Sequence, residues 1–180
     1  MNTANKLTVL RVCLVPVMIL LMNAAATSAM IFAAAVFAVA SVTDLLDGYI
    51  ARKHDQITDF GKFLDPIADK LLVISALVEL VRAGTVPSWV AVVFIAREFI
   101  ISGFRMVAAG KGEVISAGML GKIKTILQMV AVPALMLRSL EMPFLGIMGN
   151  AALYAALLMT IWSCADYIWR NRGVFSGAMR

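Results

Sequence analysis

The chain is poor in charged residues. Lys, Arg, Asp and Glu make up 15% of its 180 residues, whereas an average soluble domain carries about 25%. Apolar residues account for 62% of the sequence, and the mean hydropathy is +0.90. This composition excludes an ordinary soluble domain. It predicts an all-α integral membrane protein with a single domain over residues 1–180, since no linker-like stretch interrupts the chain.

Cysteine and histidine are scarce as well. Cys13 and Cys164 both fall in apolar segments, and their spacing excludes a disulfide framework and a cysteine-type metal site. His54 is the single histidine and lies in a basic loop. The first segment lacks a basic run followed by a small-residue cleavage site, so no cleaved signal peptide is expected.

Long apolar runs fill most of the chain. A helix needs about 20 apolar residues to cross a bilayer. Six segments meet this requirement, namely residues 8–24, 30–52, 62–82, 87–109, 120–140 and 145–168. Residues 2–7 are expected to form a short interfacial segment before the first span. Four aromatic residues, most of them near span ends, are interpreted as interfacial anchors: Trp89, Tyr154, Tyr167 and Trp169.

Positive charge is unevenly distributed along this pattern. Of the 16 Lys and Arg residues, only Arg82 and Arg138 fall on the side of the bilayer opposite both termini. The positive-inside rule therefore predicts that both termini and the loop at residues 53–61 face the cytoplasm. We attribute the net charge of +5 to this bias and to anionic ligands, and we expect no nucleic-acid partner.

Four aspartates interrupt the apolar sequence between residues 44 and 69: Asp44, Asp47, Asp65 and Asp69. A charge at the centre of a membrane helix costs about 2.5–3.5 kcal/mol, so such a cluster needs a neutralising partner. Each pair lies on one face of its helix. The first and last aspartates both lie about 12 Å from the connecting loop. We therefore expect the two faces to meet at the same depth.

Three interpretations fit this cluster. It could be a structural ion-pair network with Arg52, Lys62 and Lys70, a cation or proton pathway of a transporter, or a two-metal phosphoryl-transfer site. Oxygen ligands alone suit Mg²⁺ or Mn²⁺ rather than zinc. Gly48 and Gly61 lie where the carboxylates converge. They favour the third interpretation, because they leave room for a nucleotide beside the backbone.

The run from Asp44 to Asp69 resembles the signature of the CDP-alcohol phosphotransferase family, D-x2-D-G-x2-A-R-x8-G-x3-D-x3-D, at every fixed position. The resemblance implies a six-span membrane fold, a homodimer, and two divalent cations surrounded by the four aspartates. It implies that Asp69 is also the general base, which leaves His54 as a solvated or headgroup contact. Residues implied to contact CDP-diacylglycerol are Asn5, Thr8, Asp47, Gly48, Ala51, Arg52, Thr58 and Gly61.

Basic residues also interrupt the fourth and fifth spans. Arg97 is too deep to reach the headgroups and needs a partner, and the adjacent Glu98 points about 100° away around the helix. Arg97 and Arg105 are eight residues apart and share a face. They predict a basic cavity for a dianionic group, since arginine offers bidentate phosphate contacts. Lys122 and Lys124 open the fifth span, where they could also extend to the headgroups.

Three segments, at residues 5–11, 58–72 (which overlaps the signature) and 96–125, resemble bacterial family members that use a phosphorylated acceptor. This resemblance implies transfer of the phosphatidyl group from CDP-diacylglycerol to sn-glycerol 3-phosphate, in the inner membrane of a bacterium. Residues expected to bind the acceptor phosphate are Arg97, Arg105, Lys122 and Lys124. The alternatives are a sibling enzyme that uses inositol phosphate or phosphatidylglycerol and, more remotely, a cation-coupled transporter.

Overall fold

The computed structural model describes residues 3–24, 26–53, 59–110 and 118–172, with the backbone alone for residues 3–5, 44–53, 59–66 and 69. The described residues form six α-helices and no β-strand. The helices are α1 Thr3–Asn23, α2 Thr27–Lys53, α3 Asp59–Arg82, α4 Ser88–Gly110, α5 Met119–Met136 and α6 Pro143–Arg170. A short 3₁₀ helix, Leu137–Leu140, follows α5. The predicted all-α fold class is confirmed.

Each of the six apolar segments coincides with a helix to within a few residues. Two of the turns between helices show why α3 ends and α6 begins where they do. Gly84 takes a φ of +68° after α3, a conformation that costs glycine little. Pro143 opens α6, where a missing N–H is tolerated. Residues 3–7 are the first turns of α1 itself, so the segment predicted as interfacial is continuous with the first helix.

Consecutive helices alternate in direction. Helix α1 packs against both α2 and α3, and α5 packs closely along α6. Gly149 permits this last approach, since a Cβ at that position would lie 2.9 Å from Cγ of Leu135. One apolar cluster runs through the bundle and includes the fully buried Met18, Phe37, Leu77 and Phe94. The core is therefore shared between helices rather than confined to one pair.

The outside of the bundle is apolar too. Large exposed side chains include Leu20, Phe99, Phe144 and Trp162, which is typical of a surface covered by lipid. Among the described residues, three helices are long and apolar enough to cross a membrane, at Lys6–Asn23, Met119–Leu140 and Pro143–Arg170. The chain is therefore a helical membrane protein. Helices α3 and α4 carry several charged residues each, so the count of six spans stays a prediction.

Candidate active site

The polar interior lies at one end of the bundle. Alternating helix directions bring together the first halves of α1, α3 and α5 and the second halves of α2, α4 and α6. Hydrogen bonds across this end join Arg11 to α2, Lys70 to α4 and Arg97 to α6. We call this region the site end, and the opposite end, which carries the α1–α2, α3–α4 and α5–α6 turns, the turn end.

The four aspartates lie on the two helices that the sequence predicts. Asp44 is nine residues before the last residue of α2, and Asp69 is ten residues after the first residue of α3. At a rise of about 1.5 Å per residue, the two positions lie about 14 and 15 Å from those helix ends. Their backbones therefore stand at similar depth. The aspartate side chains lie outside the described atoms, so whether the carboxylates meet stays a prediction.

For most of the residues expected near the CDP moiety, the structure describes the backbone but not the side chain. Gly48, Ala51 and Arg52 fall in the last two turns of α2, and Gly61 in the first turn of α3. Asn5 falls in the first turn of α1, and Thr58 lies outside the described residues. Thr8 is the exception, because its side chain is described and is 1% exposed. It therefore faces the interior of the site end.

Arg11 is the most deeply buried arginine that the structure describes, at 2% exposure. Its Nε donates to the carbonyl oxygen of Ala40 on α2, at 3.3 Å. Ala40 is one helical turn before Asp44. The guanidinium therefore lies between α1 and α2, close to the level of the first aspartate. The sequence places Arg11 in an N-terminal motif without assigning it a role, although a buried arginine in an apolar helix is itself a signal of function.

Arg97, Glu98 and Lys124 form a charge cluster between α4 and α5. The Arg97 Nη1 donates to Glu98 Oε1 at 3.0 Å, and the Lys124 ammonium donates to the same carboxylate oxygen. Glu98 is thus the partner of Arg97, although the two residues leave the helix about 100° apart. The arginine side chain is long enough to bend around the helix. The angle of about 100° between adjacent helical residues, used in the sequence analysis, does not take the length of the arginine side chain into account.

An inner cavity of about 60 Å³ lies beside this charge cluster. Lys70 of α3 borders it and donates to the Ser102 hydroxyl of α4 at 2.5 Å. Ser102 in turn donates to the carbonyl of Glu98 at 2.6 Å. Because Lys70 directly follows Asp69 in the chain, the inner cavity lies next to the helix that carries the third and fourth aspartates.

A second, outer cavity of about 340 Å³ lies between α4, α5 and α6. Arg97 and Arg105 both line it, and Arg97 also lines the inner cavity. The structure therefore brings the two predicted arginines to one cavity. Arg170 and Asp166 also line it and form an ion pair at 2.7 Å near the end of α6.

The two lysines of α5 point in different directions. Lys124 is buried and ion-paired with Glu98, whereas Lys122 is exposed and borders neither of these cavities. Tyr167, predicted as an interfacial anchor, is 8% exposed and lines the outer cavity, so that prediction is wrong. Trp89, Tyr154 and Trp169 are exposed, as interfacial residues would be. The sequence missed Ser163 and Tyr167, whose spacing of four residues places them on one face of α6.

Among the side chains that the structure describes, no three His, Cys, Asp or Glu residues come together as a metal site. The signature aspartates are not part of that set. Their chemistry fits a hard divalent cation, since carboxylate oxygens are the ligands that Mg²⁺ and Mn²⁺ prefer. A cation site formed by the signature aspartates therefore stays a prediction.

Comparisons with known proteins agree with this signature. The protein of Bacillus subtilis called CDP-diacylglycerol–glycerol-3-phosphate 3-phosphatidyltransferase is 42% identical, with 94% of this chain and 95% of that protein covered. A Rickettsia bellii protein of the same name is 40% identical, with 92% and 93% covered. A probable phosphatidylglycerophosphate synthase of Mycobacterium tuberculosis is also 40% identical, with 94% and 81% covered. Residues 1–162 match the CDP-alcohol phosphatidyltransferase family, and the chain belongs to that family.

Proposed function

We propose that this chain is a membrane enzyme that transfers the phosphatidyl group of CDP-diacylglycerol to sn-glycerol 3-phosphate, which yields phosphatidylglycerophosphate and CMP. The names of its relatives at about 40% identity support the reaction. The observation that carries the choice of acceptor is the outer cavity, where Arg97 and Arg105 converge. An acceptor without net negative charge, such as serine or inositol, would not match the excess of positive charge at this cavity.

Asp44, Asp47, Asp65 and Asp69 are proposed to hold two divalent cations, Mg²⁺ or Mn²⁺. Bound cations polarise the pyrophosphate and neutralise the departing CMP. Gly48, Ala51, Arg52, Thr58 and Gly61 border the nucleotide, and Asn5 and Thr8 reach it from α1. Thr8 already faces the interior, which suits a contact with the pyrophosphate.

Asp69 takes the proton of the acceptor hydroxyl as that oxygen attacks the phosphatidyl phosphorus and the bond to CMP breaks. Arg97 and Arg105 hold the acceptor phosphate and so fix the position of the hydroxyl. Holding two reactants in place can lower a barrier by about 7–11 kcal/mol. Lys124 is tied to Glu98, so we assign it to positioning Arg97 through that shared carboxylate. Lys122 attracts the anionic acceptor from the exposed face.

The remaining proposals concern the setting of the enzyme. All six helices span the inner membrane of a bacterium, both termini and the site end face the cytoplasm, and the enzyme is a homodimer. CDP-diacylglycerol enters from the inner leaflet, and glycerol 3-phosphate arrives from the cytosol. The whole chain is one catalytic domain.

The test is an assay of CMP release by the purified protein in vesicles that contain CDP-diacylglycerol. Glycerol 3-phosphate, inositol phosphate, serine and phosphatidylglycerol are supplied separately, each with and without EDTA. We expect release with glycerol 3-phosphate alone, and we expect EDTA to abolish it. Release with a different acceptor moves the assignment to a sibling enzyme. No CMP release with any acceptor, or release that EDTA does not affect, contradicts the proposal.

A further inference from the structure

Tyr167 lines the outer cavity and carries a buried, unsatisfied hydroxyl. Tyr167 is 8% exposed, and its Oη has no hydrogen-bond partner among the described residues. A buried hydroxyl without a partner is costly, and such groups in proteins are usually satisfied or reserved for a ligand. Because Tyr167 lines a cavity, the missing partner can be a molecule that enters it.

The tyrosine ring is held in place from two sides. Phe104 of α4 meets it edge to face, with ring centroids 5.7 Å apart and an interplanar angle of 81°. The guanidinium carbon of Arg105 lies 5.8 Å from the ring centroid. A cation above an aromatic face is attracted to it. The ring is therefore fixed beside one of the two arginines that are proposed to bind the acceptor phosphate.

The rest of the outer cavity favours an anion. Arg97, Arg105 and Arg170 line it, and its one described carboxylate, that of Asp166, already pairs with Arg170. The first residues of α5 also border the cavity, and this helix begins without a side-chain cap. A helix N-terminus attracts negative charge. Nε of Arg97 is buried and also lacks a hydrogen-bond partner among the described residues.

The other neutral polar side chains at the wall are already engaged. Ser163 donates to the carbonyl of Thr160 at 3.1 Å and accepts from Arg97. Asn171 donates to the backbone carbonyl of Tyr167 at 2.7 Å. Among the described residues that line the cavity, the phenol of Tyr167 is thus a neutral donor that is both fixed and unused. A phosphate monoester offers oxygen atoms that can accept a hydrogen bond from such a donor.

We propose that the Tyr167 hydroxyl donates a hydrogen bond to the phosphate group of the acceptor and helps to select a phosphorylated over a non-phosphorylated acceptor. This inference rests on the proposed function, because it takes the outer cavity as the acceptor site. Tyr167 binds the substrate directly, together with Arg97 and Arg105. It adds a neutral contact to two charged ones and thereby limits the orientations that the phosphate can take.

The test compares Tyr167→Phe with the unaltered protein in the vesicle assay. The substitution removes one oxygen and keeps the ring against Phe104 and Arg105. A hydrogen bond to a charged group is worth enough to change affinity about tenfold or more. We expect the KM for glycerol 3-phosphate to rise by about that factor, while the KM for CDP-diacylglycerol changes less than about twofold.

A second readout uses inorganic phosphate as a competitive inhibitor against glycerol 3-phosphate. We expect its inhibition constant to rise in Tyr167→Phe in parallel with the acceptor KM. Thermal stability is expected to be unchanged or higher, because the lost hydroxyl had no partner among the described residues. Tyr154→Phe is the matched control, since Tyr154 lies on the same helix but is 43% exposed and does not border the outer cavity.

Several results would overturn the inference. One is an unchanged acceptor KM, and another is an equal rise in both KM values. A third is an unchanged inhibition constant for phosphate. If the unaltered protein releases CMP with glycerol 3-phosphate while Tyr167→Phe behaves like Tyr154→Phe, only the role of Tyr167 is wrong. If the unaltered protein releases no CMP with glycerol 3-phosphate, the proposed function fails, and the inference fails with it.

Discussion

The two ends of the bundle both carry ion pairs, but in different surroundings. At the turn end, Glu79 pairs with Arg82 at 2.6 Å, and the Arg82 and Glu79 side chains are 53% and 12% exposed. At the site end, Glu98 joins Arg97 and Lys124, and these three side chains are 18%, 14% and 6% exposed. Both carboxylates are thus largely buried, but the turn end keeps its cation close to solvent or headgroups, whereas the site end keeps its two cations inside the protein.

This difference separates an ion pair that links residues beside a turn from a charge cluster that lies beside a cavity. An exposed ion pair contributes about 0–1 kcal/mol. A buried one costs more desolvation, and well-packed apolar residues in its place are often neutral or stabilising by about 1–4 kcal/mol. Stability therefore does not explain the cluster of Arg97, Glu98 and Lys124. A ligand that needs fixed positive charge does explain it.

The largest effect is expected at the site end for Asp69→Asn. The substitution removes the proposed base and weakens a cation ligand, so turnover should fall at least about a thousandfold. Binding of CDP-diacylglycerol should persist, because several other residues are proposed to contact it. The measurements are CMP release and binding of the CDP-lipid. Glu79→Gln makes the same carboxylate-to-amide change at the turn end and should keep its turnover. Substantial turnover in Asp69→Asn would contradict the assignment.

Glu98→Gln should lower stability more than any change at the turn end. It leaves Arg97 and Lys124 inside the protein without their shared carboxylate. Removing one partner of a buried ion pair costs about 3–5 kcal/mol. Glu79→Gln leaves behind only Arg82, whose side chain is 53% exposed and can be solvated, so it should cost less than about 1 kcal/mol. Thermal denaturation in detergent compares the two variants. Equal losses of thermal stability in Glu98→Gln and Glu79→Gln would contradict the difference between the site end and the turn end.

Gly121→Ala should have a moderate effect on acceptor binding. A Cβ at Gly121 would lie 3.2 Å from Nη2 of Arg97, so the guanidinium must shift. We expect the KM for glycerol 3-phosphate to rise about threefold to tenfold, which corresponds to roughly 1 kcal/mol. Gly103→Ala is the control, since nothing lies within 4 Å of its added Cβ. A similar rise of this KM in both variants would show that the effect does not act through Arg97.

Arg82→Ala should have the smallest effect. It removes the ion pair with Glu79 and a long contact of 3.4 Å with the carbonyl of Met22. Because the Asn23 amide still donates to Glu79 at 3.2 Å and the lost cation is half exposed, the free energy of unfolding should fall by less than about 1 kcal/mol, and turnover should stay within about twofold. Thermal denaturation and the CMP assay check both. A loss as large as that of Glu98→Gln would mean that the turn end also depends on its charges.

The helices could be predicted from the sequence because apolar runs of membrane length are separated by short polar or glycine- and proline-containing turns. The arrangement of those helices could not. The aspartate pattern predicts α2 and α3 as neighbours, and they are in contact, but it does not predict that α1 packs far more extensively against both. The cavity that Arg97 and Arg105 share could be predicted, because residues eight apart lie on one face of a helix.

Two features of the site escape sequence reasoning for physical reasons. The pairing of Arg97 with Glu98 depends on the flexibility of a long side chain, which helical angles do not describe. The inward position of Tyr167 depends on packing against Phe104 of another helix. A tyrosine near a span end looks the same in sequence whether it anchors at the headgroups or lines a cavity.

The most direct test of the account is the charge reversal Arg105→Glu, with Arg138→Glu at the turn end as its control. Arg105 borders the outer cavity, whereas Arg138 follows α5 at the opposite end. The account predicts that Arg105→Glu raises the KM for glycerol 3-phosphate at least about tenfold, and the KM for CDP-diacylglycerol much less. Arg138→Glu should change neither. An equal rise in both KM values for Arg105→Glu, or no rise in either, would contradict the outer cavity as the acceptor site.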